Sequence, residues 1–519
     1  MKKTILGLTL LLGGLTLTSC NLDEPTYGQT TNDSFYKTQT EVLGALTGAY
    51  LQLRTTWNEY ALNFYFVGDC STDDALKGGG SDGDRAEVQE LANFTTSTTN
   101  GEVGRRWEIL YRLVNRCNEV IHYAPGAQGD ATTLTRYANE AKALHAFVYY
   151  ELVTTFGDVP LLTEPMTPEQ ILATPRTPAD SVWAQIISDC TDAEALPAKG
   201  QDSADEQYHV TRGFAKAMLA KSYMFRQDYV DAEKVLHEII EVDKDYALLP
   251  DYGLNWTPAY ENSSESVFEI PNKMDPNTPT LATGTNVPHY FTSRTDAQYQ
   301  GYGFHVPTKD LHAAFDADDP RQTYVFTQTG DHYIGDAYDQ DNSQSATGYN
   351  DYKLTVPQVE KQGYDCWMIP YNIRIIRYSD LLLLYAEALN ENGKSAQALT
   401  YLNMVRRRAR NTNLMDPRKD KQAYVPVVTA TTLPDITTTS QDELRQIIRH
   451  ERRVELAMEG WRRDDLMRQK RFGQVMREYA KKYNVEKGVK FNDNRDYLLP
   501  IPQSEIDKSN GMLKQNPGY

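Results

Sequence analysis

A mainly α-helical fold, a scaffold of helical hairpins carrying one large irregular insertion, is predicted by three features of the sequence. Apolar residues recur at three- and four-residue steps over long stretches. Several of these stretches come in pairs joined by a tight turn. Between residues 245 and 375 the periodicity fades and Gly, Pro, Asn, Asp and Tyr take over.

Taken in order, the first element is a leader. Lys2 and Lys3 give a basic start, residues 5–17 are almost wholly apolar, and the run ends in Leu17-Thr18-Ser19-Cys20. A charged start, a short apolar stretch and small residues before a cut site describe a secretory signal. The stretch is shorter than the ~20 residues a spanning helix needs. A Cys after the small residues makes 1–19 a bacterial lipoprotein signal, with Cys20 as the lipidated new N-terminus, anchored to a membrane without crossing it. Asn21-Leu22-Asp23-Glu24 follows. Its acidic residues resemble the surface-export signals of some Gram-negative lipoproteins and point to the cell exterior. Residues 20–40, rich in Thr, Asn and Gln, read as a tether.

From there on, residues 41–519 are expected to form one domain. A helix is predicted over 41–54. Glu102 to His122 is strongly amphipathic, with Trp107, Leu110, Tyr111, Val114, Cys117 and Ile121 on one face. A second helix covers 134–156 and is stopped by Gly157-Asp158-Val159-Pro160. A third covers 179–195. Helices 212–226 and 229–243, joined at Gln227-Asp228, make an αα-hairpin. The unit recurs at 377–393 and 395–410, where Asn392-Gly393 is the stop and Ser395 the expected cap. A helix over 441–459 opens with a capping-box pattern, Ser440 and Glu443. The scaffold therefore falls at about 102–156, 179–243, 377–410 and 441–472. The hairpins are tetratricopeptide-like in size and small-residue placement, without the regular array. The 245–375 insertion and a Thr-rich loop over 411–439 interrupt them. Irregular surface on a rigid scaffold is where binding residues concentrate.

Charge excludes some partners. The chain has 53 Lys+Arg against 71 Asp+Glu, net −18. Losing Lys2 and Lys3 with the leader leaves 51 against 71, or −20. An acidic surface repels phosphate backbones and anionic lipid, so no nucleic acid is expected and membrane contact falls to the lipid. The 34 Tyr outnumber Phe and Trp together. An apolar ring with a wet hydroxyl suits a surface that handles sugars, and it equally suits helix-packing seams. Export permits disulfides, but Cys70, Cys117, Cys190 and Cys366 match no metal or redox spacing, and Cys117 and Cys190 read as buried free thiols. The nine His are scattered, so no metal and no cofactor is expected.

Six segments, in order, resemble the SusD/RagB family of outer-membrane nutrient-binding lipoproteins. They are RRWEILYRLVNRCNEVI, AKALHAFVYYELVTTFGDVPL, RYSDLLLLYAEALNENG, ALTYLNMVRRRA, RHERRVELAMEGWRRDDLMR and the C-terminal YLLPIPQSEIDKSNGMLKQNPGY. The likeness covers nearly the whole mature chain except 271–370. It implies a SusD-like helical fold and capture of an extracellular glycan for a partner SusC-like TonB-dependent transporter. Each segment also has a physical reading. Arg449, Arg452, Arg453, Glu451 and Glu455 could pass for a catalytic cluster, yet their three- and four-residue steps predict ion pairs on a helix surface. Trp107 and Trp461 are expected in the core, as are Leu381 to Leu384.

The resemblance further implies a shallow ligand site made by loops after the first helix and by the insertion. A pyranose has one apolar C–H face and a rim of hydroxyls. An aromatic ring covers the first, for roughly 25 cal/mol per Å², and charged partners strengthen hydrogen bonds to the second. The stacking candidates are Trp57 and Trp367, with Tyr290, Tyr299 and Tyr302 in support. Asp73, in a Gly68–Asp74 stretch that resembles a family segment near the site, and Arg85 are the hydrogen-bonding candidates. Loop 77–104 offers only Phe94 as an aromatic. Gly78–Arg85, with Asp82 and Asp84, lacks the ligands of a calcium loop and reads as a flexible loop. Three functions remain open: a non-enzymatic glycan binder, peptide capture by the same scaffold, and an exported glycoside hydrolase, which needs two carboxylates about 5–10 Å apart.

Overall fold

The computed structural model describes residues 35–54, 59–201, 208–273, 284–294, 301–333, 339–356, 369–412, 419–421 and 432–519. The leader, Cys20 and most of the tether lie outside the described residues, as do Trp57, Tyr299, Cys366 and Trp367.

The predicted helices form. Helix α1 (Gln39–Gln52) opens with a capping box between Thr38 and Glu41. Helix α2 (Glu59–Tyr65) runs into a π-helical turn over Phe66–Cys70. After the short α3 (Ala86–Ala92), α4 (Gly101–Tyr123) is capped by Asn100, whose side chain accepts from the N–H groups of Glu102 and Val103. Helix α5 (Ala131–Phe156), buried along most of its length, ends where Gly157 takes φ 73°. The short α6 (Pro168–Leu172) precedes α7 (Ala179–Ala193). Helices α8 (Arg212–Phe225) and α9 (Tyr229–His237) make the first hairpin, and a π-helical turn extends the second helix to Asp243. After the short α10 (Val287–Phe291), α11 (Tyr378–Glu391) and α12 (Ser395–Arg410) make the second hairpin around Gly393, φ 76°. Helices α13 (Gln441–Glu455), α14 (Arg462–Arg468), α15 (Phe472–Tyr483) and α16 (Gln503–Lys508) complete the scaffold. Helix α5 packs against α4 and α7, and α11 against α9, α12 and α13. No helix among the described residues is long and apolar enough to cross a membrane.

Two expected caps do not form. Ser395 lies inside α12, and its hydroxyl donates to Asn390 Oδ1 at 2.7 Å, sealing the turn from within. Ser440 makes no side-chain cap, because Glu443 instead accepts from the Thr438 hydroxyl at 2.7 Å. The core is as expected elsewhere: Trp107, Trp461 and Leu381 to Leu384 are buried. Cys117 and Cys190 are buried free thiols, and so is Cys70.

The insertion is built of short strands and turns, as its composition predicts, but it is not a surface appendage. Strand β2 (Ser266–Ile270) pairs antiparallel with β4 (Ile373–Arg377), closing the excursion at its base immediately before α11. Strand β1 (Ala75–Gly78) pairs antiparallel with β3 (Phe304–Pro307), tying the insertion to the chain after α2. Tyr252, Trp256, Tyr324, Tyr352 and Tyr371 are buried within it. For these tyrosines, packing is the role.

The Arg/Glu-rich helix departs most from expectation. Glu451, Arg452 and Glu455 on α13 are buried, and their ion pairs run to other elements. Glu455 accepts from Arg321 at 3.1 Å, Arg377 at 3.1 Å and Arg408 at 2.5 Å. Glu451 accepts from Arg321 and Arg406 at 2.7 and 2.5 Å. Arg377 also reaches Glu265 and Glu459, and Lys353 reaches Glu459 at 2.7 Å. Arg452 bonds Asp380 and Asp465, and Arg453 bonds Asp73, Asp74 and Asp310, while Arg449 stays half-buried. Burial alone would raise the Glu455 carboxyl, but Arg408, Arg377 and Arg321 hold it at about 2. The spacing reads as a surface pattern only while the partners are unknown. The insertion delivers Arg321 and Lys353 to these acids, and β4 and α12 deliver the remaining arginines.

Candidate functional site

Of the four ligand-binding candidates among the described residues, the fold brings three together: Arg85, Tyr290 and Tyr302. Arg85 stands before α3 with φ 49°, a left-handed backbone costly for any residue but Gly. Its guanidinium donates to Glu102 Oε1 at 2.7 Å and to the Tyr290 hydroxyl at 3.3 Å. It lies over the rings of Tyr290 and Phe66, 5.1 and 5.4 Å from their centroids. Tyr290, on α10, meets Tyr302 edge to face at 5.2 Å and Phe304 at 5.9 Å. Tyr290 and Tyr302 are half-buried, whereas Phe304 is buried beneath them.

The β1–β3 pair holds this platform. Gly78 takes φ 74°, and a Cβ there would come within 2.1 Å of the Gly303 carbonyl oxygen, so only Gly permits the approach. The Gly78–Arg85 loop, expected to be flexible, is pinned. The buried Lys77 ammonium donates to the carbonyls of Ser81 at 2.8 Å and Asp84 at 2.6 Å, and Asp84 accepts from the Gly80 N–H at 2.9 Å. Asp84 therefore serves the loop's own backbone. Among the described residues no group of three His, Cys, Asp or Glu is placed to hold a metal. A cavity of ≈ 300 Å³ lies between this loop and residues 344–346, with Lys77, Gly79, Arg294, Gln344, Ser345 and Asn350 on its walls. Arg294 lies 3.6 Å from Asp84 and joins the cavity to the Tyr302 backbone. No sequence signal singles out Arg294, which sits in the insertion with no periodicity to place it.

Asp73 goes elsewhere. It is buried, Arg462 grips both its oxygens at 2.9 Å, and Arg453 reaches it at 2.8 Å. The Gly68–Asp74 stretch is interior, so this carboxylate holds α14 and α13 together and does not face the platform. Burial pushes its neighbour Asp74 up to about 6 against the pull of Arg453 and Arg462. Two adjacent carboxylates so split resemble an acid–base pair, but both are enclosed by arginines. Nearby, His305 is fully buried between Asp69 at 3.0 Å and Asp351 at 2.8 Å. Burial would lower its pKa, but hydrogen bonds to Asp351 and Asp69 raise it to about 9. This salt-bridged imidazolium ties β3 to the π-helical turn after α2 and to Asp351 of the insertion. Trp57, Tyr299 and Trp367 lie outside the described residues. Gln52 and Glu59, on either side of the segment with Trp57, line a groove along α4.

The platform presents two half-exposed rings, a guanidinium and a neighbouring cavity of amides and hydroxyls. That chemistry suits a ligand with an apolar face and a hydroxyl rim.

Comparison with known proteins agrees with the architecture. The sequence pattern described as the SusD family matches residues 323–519. A pattern described as starch-binding and associating with the outer membrane matches residues 69–224. SusD-like protein P2 of Formosa agariphila is 29% identical over 545 residues, covering 100% of each chain. SusD-like protein P38 of the same organism is 24% identical over 471 residues, covering 86% of each. Among solved structures, a laminarin-binding SusD-like protein superposes with a TM-score of 0.76 at 25% identity, covering 93% of this chain and 100% of that one. Surface glycan-binding protein A from Bacteroides fluxus gives 0.74 at 25%, with the same coverage. A SusD homologue from Bacteroides thetaiotaomicron gives 0.77 at 21%, covering 95% and 99%, a likeness of fold alone. With the two family patterns in chain order over residues 69–224 and 323–519, and the fold superposing over 93% of the chain, the chain belongs to the SusD/RagB family.

Proposed function

We propose that this protein is a lipid-anchored, non-enzymatic binding protein of the outer membrane. It captures an extracellular oligosaccharide or polysaccharide and hands it to a SusC-like TonB-dependent transporter. The observation that carries the reading is the Arg85–Tyr290–Tyr302 platform, with rings for a sugar's C–H face and a guanidinium for its hydroxyls. The names of the relatives support a glycan as the ligand class. In this reading Cys20 carries the lipid, the chain faces the cell exterior, residues 41–519 act as one domain, and Trp57, Tyr299 and Trp367 are further stacking residues for the ligand.

The test is calorimetric titration of the mature chain carrying Cys20→Ser against neutral polysaccharides and peptide mixtures, with reducing ends assayed in the same cells. Heat with one glycan and no new reducing ends is the expected result. Alanine at Tyr290, Trp57 or Trp367 is expected to weaken it about tenfold, or ~1.4 kcal/mol. New reducing ends would make the protein a hydrolase, and binding of peptides alone would make it a peptide receptor. In cells, Cys20→Ser is expected to move the protein from the membrane to the soluble fraction.

A further inference from the structure

Helix α4 buries one face against α1 and α5 and leaves another uncovered. Gly104, Glu108, Tyr111 and Asn115 follow one another at four- and three-residue steps, with Arg105, Arg112 and Arg116 alongside. At 1.5 Å per residue the stripe is roughly 20 Å long. It is one wall of a groove of ≈ 1230 Å³, whose far wall is Pro160, Ile171 and Leu172 on one side and Ser504, Ser509 and Leu513 on the other.

Three properties of the groove restrict its occupant. It has an aromatic wall: Tyr111 is half-buried, packs on Trp107 at 4.8 Å, and is locked by its hydroxyl donating to the Pro160 carbonyl at 2.8 Å. Its cations are matched by acids: Arg112 meets Glu108 at 3.2 Å, Arg116 meets Glu119 at 3.4 Å, Arg105 meets Glu59 at 3.8 Å, and Lys508 meets Glu505 at 2.7 Å. An anionic ligand finds no excess positive charge, and an apolar helix would have to desolvate these pairs. The cationic ends of Arg105, Arg112, Arg116 and Lys508 are solvent-accessible, so these pairs are weak and the cations turn to a ligand's hydroxyls at little cost. The occupant that fits is uncharged, rich in hydroxyls and apolar on one face.

The groove also neighbours the platform described above. Glu102 Oε1 accepts from Arg85 at 2.7 Å and from Arg105 at 3.2 Å, so one buried carboxylate orients a guanidinium of each site. We propose that the α4 groove is a second glycan site, selective for neutral oligosaccharides and continuous with the Arg85–Tyr290 platform across Glu102. A long chain then occupies both, and the second contact is intramolecular, which raises avidity without new contacts. This inference rests on the glycan reading but fails separately from it.

The experiment compares three full mature chains, all with Cys20→Ser: the parent, Arg112→Ala with Asn115→Ala, and Arg85→Ala with Tyr290→Ala. Oligosaccharides from laminarin, starch, xylan and mannan are titrated calorimetrically, followed by the parent polymers. Arg112 and Asn115 are on the surface, so folding should change little, which circular dichroism checks. The expected result is two oligosaccharides per parent chain and one per chain in either double variant, with affinity for the matching polymer falling at least tenfold in both. One oligosaccharide per parent chain, or an α4 variant indistinguishable from the parent, overturns the second site and leaves the first reading standing. No binding of any probe by the parent overturns both.

Discussion

On α4, Glu108 and Arg112 stand four residues apart and meet each other at 3.2 Å in solvent. On α13, Glu451 and Glu455 stand the same four residues apart, yet both are buried and reach Arg321, Arg406, Arg377 and Arg408, which come from other parts of the chain. The helical step is the same, but Glu451 and Glu455 are like-charged and have to find their partners elsewhere, whereas Glu108 has Arg112 on its own helix. The difference is what lies opposite. Solvent faces α4, so its charges pair along the helix, cheaply and weakly. The insertion, β4 and α12 face α13, so its carboxylates are desolvated and need several guanidinium partners each. Identical spacing thus makes an adaptable surface in one place and a rigid joint in the other.

That contrast can be broken at its buried end. Glu455→Ala would leave Arg321, Arg377 and Arg408 short of a carboxylate in the interior, and a loss of about 3–5 kcal/mol in chemical denaturation is expected. A loss under ~1 kcal/mol would mean that Glu451, Glu265 and Glu459 suffice without it. The second effect in size is pH-dependent. The folded pKa of His305, about 9, lies above its ordinary 6.5, so its contribution is complete below 6.5 and disappears as pH rises through 9. The parent is therefore expected to exceed His305→Gln in stability most at acidic to neutral pH, with the gap closing toward pH 9. A gap constant from pH 6 to 10 would show that protonation has no part in it. Comparing the two proteins at each pH cancels Lys353 and Lys487, which burial lowers to about 8 and which would act in the opposite direction.

The smallest expected effects lie at the exposed end. Tyr290→Ala should cost glycan affinity about tenfold while leaving the buried joint intact, a separation that denaturation and titration of the same sample will reveal. Arg112→Ala should change stability by no more than ~0.5 kcal/mol. A larger loss would mean that α4 uses its ion pairs as α13 does.

Much of this was legible in the sequence. The helices between 102 and 243, the hairpin around Gly393 and the buried Leu381 to Leu384 follow from periodicity and stop signals, which are local. Arg85, Tyr290 and Tyr302 could be named as candidates by residue type, but nothing local said that Arg85 would lie over the Tyr290 ring. Asp73 had the same credentials and was claimed by Arg453 and Arg462, more than three hundred residues away. The caps expected of Ser395 and Ser440 failed because Asn390 and Thr438 offered competing hydrogen bonds that the motif does not encode.

Local sequence suffices for the helical scaffold, the turns that stop its helices and an irregular insertion between two hairpins, because each depends on neighbours within a turn or two. Only the tertiary structure shows which charges are interior and which face solvent, that Tyr252, Tyr324, Tyr352 and Tyr371 are core, and that Glu102 ties the platform to α4. Desolvation and ion pairing depend on what the folded chain sets opposite each group, and those partners lie tens to hundreds of residues away in sequence.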